Sequence, residues 1–339
     1  MEIIMNNLDV VWFILVCVLF SGFFVLEGFD YGVGILLPFL GKTDVERRQM
    51  INTVGPVWDG NQVWMITAGG ATFASFPHVY ATLFSGFYLA LFLMLAALIA
   101  RGVAFEFRSK DKSLAWRKTF DYCIFFGSLI PALLWGVTVG NLIQGTPIDG
   151  SMNFVGGFFD LLSPYTILCG VAFILVFVYH GALYTSLKTL GDISERARAL
   201  ALVEGVITAV GALVLVGATY VYTDLFNSTL ATICYAAAIV LFIVSWVCTR
   251  ARRVGWGFTF SVLTIISITA AYFAGLFPRI MVSSLNPAYS LTITNASSSQ
   301  YTLTLMTIVA LIFVPIVLAY QAWTYWTFRH RIGVDDLHY

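Results

Sequence analysis

The stretch Val10–Leu36, VVWFILVCVLFSGFFVLEGFDYGVGIL, decides the fold class. It runs for 27 residues and contains only two acidic or basic side chains, Glu27 and Asp30. A helix needs about 20 apolar residues to cross the hydrocarbon core of a bilayer, so this run is long enough to span. The nine residues before it carry no Lys or Arg, and it is too long for the apolar core of a cleaved leader. It therefore reads as a retained first span and not as a signal peptide. Eight further runs of the same kind follow at 56–76, 79–105, 118–142, 163–187, 199–223, 229–249, 255–277 and 302–327. The expected fold is an all-α polytopic membrane protein of about nine transmembrane helices. The connections are short, so residues 1–339 form one membrane domain.

Composition excludes the soluble classes. The chain is 59% hydrophobic and 11% charged, against about 45–50% and about 25% in an average soluble domain. That leaves too little polar surface for a cytosolic enzyme, a secreted disulfide scaffold or a disordered chain. Net charge is zero, so no basic field is offered to phosphate and no nucleic-acid partner is expected. A β-barrel would alternate apolar and polar residues along each strand, and this chain does not. The five cysteines all fall in apolar runs without a C-x-x-C pair, which argues against both a disulfide framework and a thiolate metal site. No phosphate-binding or dinucleotide fingerprint occurs.

Basic residues give an orientation. Lys42, Arg47 and Arg48 follow the first span; Arg108, Lys110, Lys112, Arg117 and Lys118 lie between the third and fourth. Lys188, Arg196 and Arg198 lie between the fifth and sixth, Arg250, Arg252 and Arg253 between the seventh and eighth, and Arg329 and Arg331 in the tail. Only Arg279 is placed on the other side, and Arg101 is inside the third span. Nine spans with the N-terminus outside and the C-terminus in the cytoplasm satisfy this asymmetry.

Ionisable groups within spans are costly and are functional candidates by default. Glu27 and Asp30, three residues apart, share a face near the cytoplasmic end of the first span. Asp59 stands at the start of the second, and Arg101 near the inner end of the third. In one reading the three acids form a proton-entry chain open to the cytoplasm. In the other, Arg101 neutralises one acid and the rest reach headgroup water. Trp58 reads either as an interfacial belt residue or as a ring that orients Asp59. His180 is the single histidine inside a span; haem ligation would need a second ligand on a facing helix, so a hydrogen-bonded interface role is the plainer reading. Gly28-x-x-x-Gly32 and Gly136-x-x-x-Gly140 have the spacing that lets helices approach closely.

The residues also carry a family likeness. GFDYGVGILLPFLG (Gly28–Gly41), ERRQMINTVGPVWDGNQVW (Glu46–Trp64) and TAGGATFASFP (Thr67–Pro77) resemble subunit II of the cytochrome bd-type quinol oxidases. So do FSGFY (Phe84–Tyr88), FRSK (Phe107–Lys110), GNLIQG (Gly140–Gly145), LFP (Leu276–Pro278) and SSSQYTLTLMT (Ser297–Thr307), in order along nearly the whole chain. The segment around Thr223–Ser228 looks shorter than in some relatives. The resemblance implies two four-helix bundles plus one peripheral helix: a first bundle over about 10–142, a second over about 163–277, and a last helix over about 302–327. It implies a complex that oxidises membrane quinol and reduces dioxygen to water. Haem b and haem d are expected in the partner, subunit I, and none in this chain. Small accessory subunits, lipid and quinone are the other expected partners, in a bacterial cytoplasmic membrane. By the same resemblance Asp59 matches an acid on a proton path at the subunit interface, Trp58 its neighbour, and Asp30 the acid of the GFD motif, with Glu27 beside it. The rival reading is a secondary transporter with buried carboxylates; an odd span number and the lack of a clear inverted repeat stand against it.

Overall fold

The structure, a computed structural model, describes residues 7–337. Eleven α-helices build it: α1 (Leu8–Leu40), α2 (Asp44–Val54), α3 (Trp58–Ser75), α4 (Pro77–Gly86), α5 (Tyr88–Phe107), α6 (Leu114–Gln144), α7 (Pro164–Lys188), α8 (Asp192–Tyr222), α9 (Thr229–Arg250), α10 (Val254–Leu276) and α11 (Gln300–Thr327). Among the described residues, eight are long and apolar enough to cross a membrane: α1 and α5 to α11. That is one fewer than the nine expected. The expected second span is present as α3, but its 18 residues rise only about 27 Å, and Asp59, Asn61, Gln62 and two threonines dilute its apolarity. The expected third span is broken at Phe87 into α4 and α5.

Helix α2 was not anticipated, although its signal is explicit. Thr43 accepts from the Glu46 backbone N–H, and Glu46 reaches back to the Thr43 N–H, a capping box. Partial burial works to raise the Glu46 carboxyl. Its bonds to Arg196 and to the Lys42 and Thr43 backbone N–H groups outweigh this and hold it below the usual carboxylate range.

α1 occupies the centre and packs on α3, α6, α7 and α10. The two glycine pairs do what their spacing predicts. A Cβ on Gly32 would run into the Phe177 carbonyl and the Gly181 Cα of α7, and one on Gly136 would meet the Cys169–Gly170 backbone. Both close approaches are made with α7, where small residues let backbones touch. Rings of Phe23, Phe24 and Trp135 fill the space between α1 and α6, with Phe23 and Trp135 centroids 5.1 Å apart. By contrast α11 is almost wholly exposed and touches chiefly α1 and α3.

The basic segments meet at one end of the molecule. Asp121 of α6 accepts from Arg47 (2.7 Å) and from Arg108 (2.5 Å), and Asp44 accepts from Arg108 (2.9 Å) and Arg117 (2.7 Å). Arg196 pairs with Glu46 (2.6 Å), and Arg252 with Glu195 (3.4 Å). The tail joins them: Arg331 donates to Ser186 O and Ser194 Oγ, both at 3.0 Å, and Ile332 bridges Thr189. Arg279 stands apart, paired with Asp224. The far end carries a two-strand antiparallel hairpin, β1 (Arg279–Met281) with β2 (Leu291–Thr292).

Candidate functional site

Near the basic end, α1, α3, α5 and α11 enclose a polar cluster in an otherwise apolar interior. Glu27 and Asp30, one helical turn apart on α1, are fully buried. Arg101 on α5 is 1% exposed and donates from Nη1 to Glu27 Oε1. Its guanidinium lies over the rings of Tyr31 (4.8 Å) and Phe105 (5.3 Å), a placement that stabilises a desolvated cation. Asn61 on α3 is also fully buried and donates from Nδ2 to Asp30 Oδ2 at 2.8 Å. Two groups of α11 converge on the other end of the same amide: Tyr325 OH donates to Asn61 Oδ1 at 2.6 Å, and Gln321 Nε2 at 3.2 Å. The remaining oxygens, Glu27 Oε2 and Asp30 Oδ1, are buried without a hydrogen-bond partner, on side chains that share one face of α1.

Of the residues expected at the site, Glu27, Asp30 and Arg101 come together and Asp59 does not join them. The acid that Arg101 pairs with is Glu27. Asp59 stands one turn before α3 enters the interior, and its side chain is exposed. Among the described residues it has no ion-pair or hydrogen-bond partner. Trp58 packs on Phe105 (centroids 5.5 Å) beside Gly102 of α5, so its ring anchors α3 to α5. His180 is buried with both ring nitrogens engaged, by Ser261 Oγ at 2.6 Å and Val25 O at 3.1 Å, and its ring stacks on Phe258. It is the hydrogen-bonded interface residue of the plainer reading.

Three participants were not singled out from sequence. Asn61, Gln321 and Tyr325 are polar groups in or beside apolar runs, and their meeting joins positions 264 residues apart. Glu204 on α8 is buried as well, accepts from Thr208 Oγ1 at 2.6 Å and leaves Oε2 unpartnered. Its signal was plain, a single acid in the run 199–223, but it was masked by the apolar residues around it.

The fold and the cluster define a polytopic helical membrane protein that keeps two carboxyls and a guanidinium buried near its basic end. A sequence model described as cytochrome bd terminal oxidase subunit II matches residues 8–328. The chain belongs to that family. It is 44% identical over 331 residues to cytochrome bd ubiquinol oxidase subunit 2 of Bacillus subtilis (strain 168), covering 97% of this chain and 98% of the relative. It is 41% identical over 362 residues to cytochrome bd-I ubiquinol oxidase subunit 2 of Escherichia coli (strain K12), covering 96% of each. Among solved structures, a chain of the bd oxidase from Geobacillus thermodenitrificans shares the fold with a TM-score of 0.77 at 15% identity, over 94% of this chain and 97% of that one.

Proposed function

We propose that this chain is the haem-free second subunit of a quinol-oxidising, dioxygen-reducing membrane complex, and that it carries protons from the cytoplasmic face toward haems b and d held by subunit I. The observation that carries this reading is the buried Glu27–Asp30–Arg101 cluster near the basic end, with exposed Asp59 on the helix that feeds it. The basic end is the cytoplasmic one by the positive-inside rule. On this reading the N-terminus is outside and the tail is in the cytoplasm of a bacterial cell. Asp59 then meets bulk protons, and Asp30 and Glu27 lie deeper along α1. Taking up protons inside while quinol releases its protons outside builds a proton gradient without a pump.

The same face supports a partner. Ile66 and Phe73 of α3 and Phe92 and Ile99 of α5 are exposed and apolar, a surface suited to another membrane subunit or to lipid. Subunit I is the expected occupant, with quinone and small accessory chains as further partners of the complex.

Asp59→Asn tests the path. The substitution keeps shape and hydrogen bonding and removes the exchangeable proton. Oxygen reduction with excess quinol should slow by roughly one to two orders of magnitude, up to the low end of what acid–base participation is worth, while haem content stays near normal. Full turnover would remove Asp59 from the path. Labelling from outside the cell of a cysteine placed at Lys112 would overturn the orientation. Purification without a haem-bearing partner would favour the transporter reading.

A further inference from the structure

We propose that Tyr325, reaching across from the peripheral helix α11, is a positioning residue that fixes the Asn61 amide so that a single proton is held on Asp30 Oδ1 and shared with Glu27 Oε2. The proposal deepens the proton-path reading and rests on it only for its consequence in turnover.

The geometry runs outward from Asn61. Tyr325 OH and Gln321 Nε2 both approach the carboxamide oxygen. An oxygen that receives two donors turns its amide nitrogen to the opposite side, and there it meets Asp30 Oδ2. An NH2 group has no lone pair to offer, so Oδ2 must be the accepting oxygen of Asp30. The other oxygen, Oδ1, is buried with no hydrogen-bond partner, one helical turn from Glu27. Glu27 in turn commits Oε1 to Arg101 and leaves Oε2 open.

Charge then decides the occupancy. The groups facing the pair are Arg101 from α5, Tyr31 from α1, Tyr184 from α7 and Tyr325 from α11; Tyr184 OH is spent on Thr53 O. Arg101 is the one cation among them. Two carboxylates against one guanidinium would leave a net negative charge and two like charges one turn apart in a buried site, which is costly. One proton removes the excess charge. Placed on Oδ1 and donated to Glu27 Oε2, it satisfies both orphan oxygens at once. When the proton moves from Oδ1 to Oε2 the pair keeps its single negative charge, so transfer within it changes no net charge. Without the Tyr325 donor the amide can turn over, offer its oxygen to Asp30, and draw the proton to Oδ2, away from Glu27.

The test is infrared spectroscopy of the purified oxidase complex at neutral pH, in a Glu204→Gln background that removes the buried carboxyl of α8, which has no arginine partner among the described residues. The protonated-carboxyl band should shift when aspartate is carbon-13 labelled and in heavy water, and should vanish in Asp30→Asn. Tyr325→Phe should move or split it, because the two amide orientations then differ by roughly 2- to 10-fold less in population. Asp59→Asn should leave it in place. If Asp30→Asn does not assemble, the labelled Tyr325→Phe complex reads the same band. Absence of an aspartate-derived band overturns the shared proton; a band unmoved by Tyr325→Phe overturns the positioning role. Neither result depends on turnover, so the proton path stands or falls separately through Asp59→Asn.

Discussion

Glu27→Gln and Asp30→Asn should be strongly non-additive. Arg101 is fully desolvated, and Glu27 is its hydrogen-bonded counterion. Removing one partner of a buried pair costs about 3–5 kcal/mol, most of it from the charge left behind. Asp30, one turn away, can release its proton and take over as counterion. A charge at about 5 Å and an effective dielectric of about 20 returns about 3 kcal/mol. Glu27→Gln alone should therefore cost only about 0–2 kcal/mol after this compensation. With the proton held on Asp30 as proposed above, Asp30→Asn replaces a neutral acid by a neutral amide of the same shape and should cost less than about 1 kcal/mol. Together they strand Arg101, and the double variant should show the full penalty, a coupling of about 2 kcal/mol beyond the sum. Denaturant unfolding of the purified oxidase in micelles reads this coupling, with the yield of assembled complex as a second measure. If Glu27→Gln alone is as damaging as the double variant, Asp30 does not take over the charge and the reasoning fails.

Gly32→Ala should cost about 1–3 kcal/mol or more, since its Cβ would meet backbone of α7 that cannot step aside; Gly217→Ala, with nothing within 4 Å of the added carbon, is the control, and equal yields of the two would refute the close-packing argument. The Glu46–Arg196 pair should give segment 41–57 a pH-dependent resistance to limited proteolysis. The folded carboxyl titrates below its unfolded value, so the protection is present above about pH 4.5 and is lost as pH falls through the folded value; Glu46→Gln should flatten that dependence. The purified chain alone should show no stoichiometric Soret band, because His180 has both nitrogens occupied by Ser261 and Val25.

The sequence made some of these features legible because they depend on local spacing. Apolar runs marked the long helices, and Gly28-x-x-x-Gly32 marked the contact with α7. Glu27 and Asp30 were found as charges in a costly place. What it could not supply is which acid faces Arg101, because that depends on how α1, α3 and α5 are rotated about their axes. Asp59 sits at the edge of α3 with its side chain outward, while Asn61, two residues on, points in. The break at Phe87 was hidden by continuous apolarity across Pro77–Phe107, since hydropathy registers burial and not helix continuity. Asn61 and Tyr325 were illegible for a plainer reason: no periodicity relates the third helix to the last.

The position of Tyr325 also orders events during synthesis. Among the described residues Asp30 lies on the first helix, and the hydroxyl that bonds Asn61, its hydrogen-bonded amide, lies on the last α-helix. Until residue 325 has entered the bilayer, Asn61 lacks its partners on α11, and the buried acids are held by α1, α3 and α5 alone. The tail contacts to Ser186, Thr189 and Ser194 are made later still. A chain stopped short of α11 would thus contain both acids of the cluster and neither of the α11 groups that orient Asn61, so insertion of α11 is the step that completes the cluster.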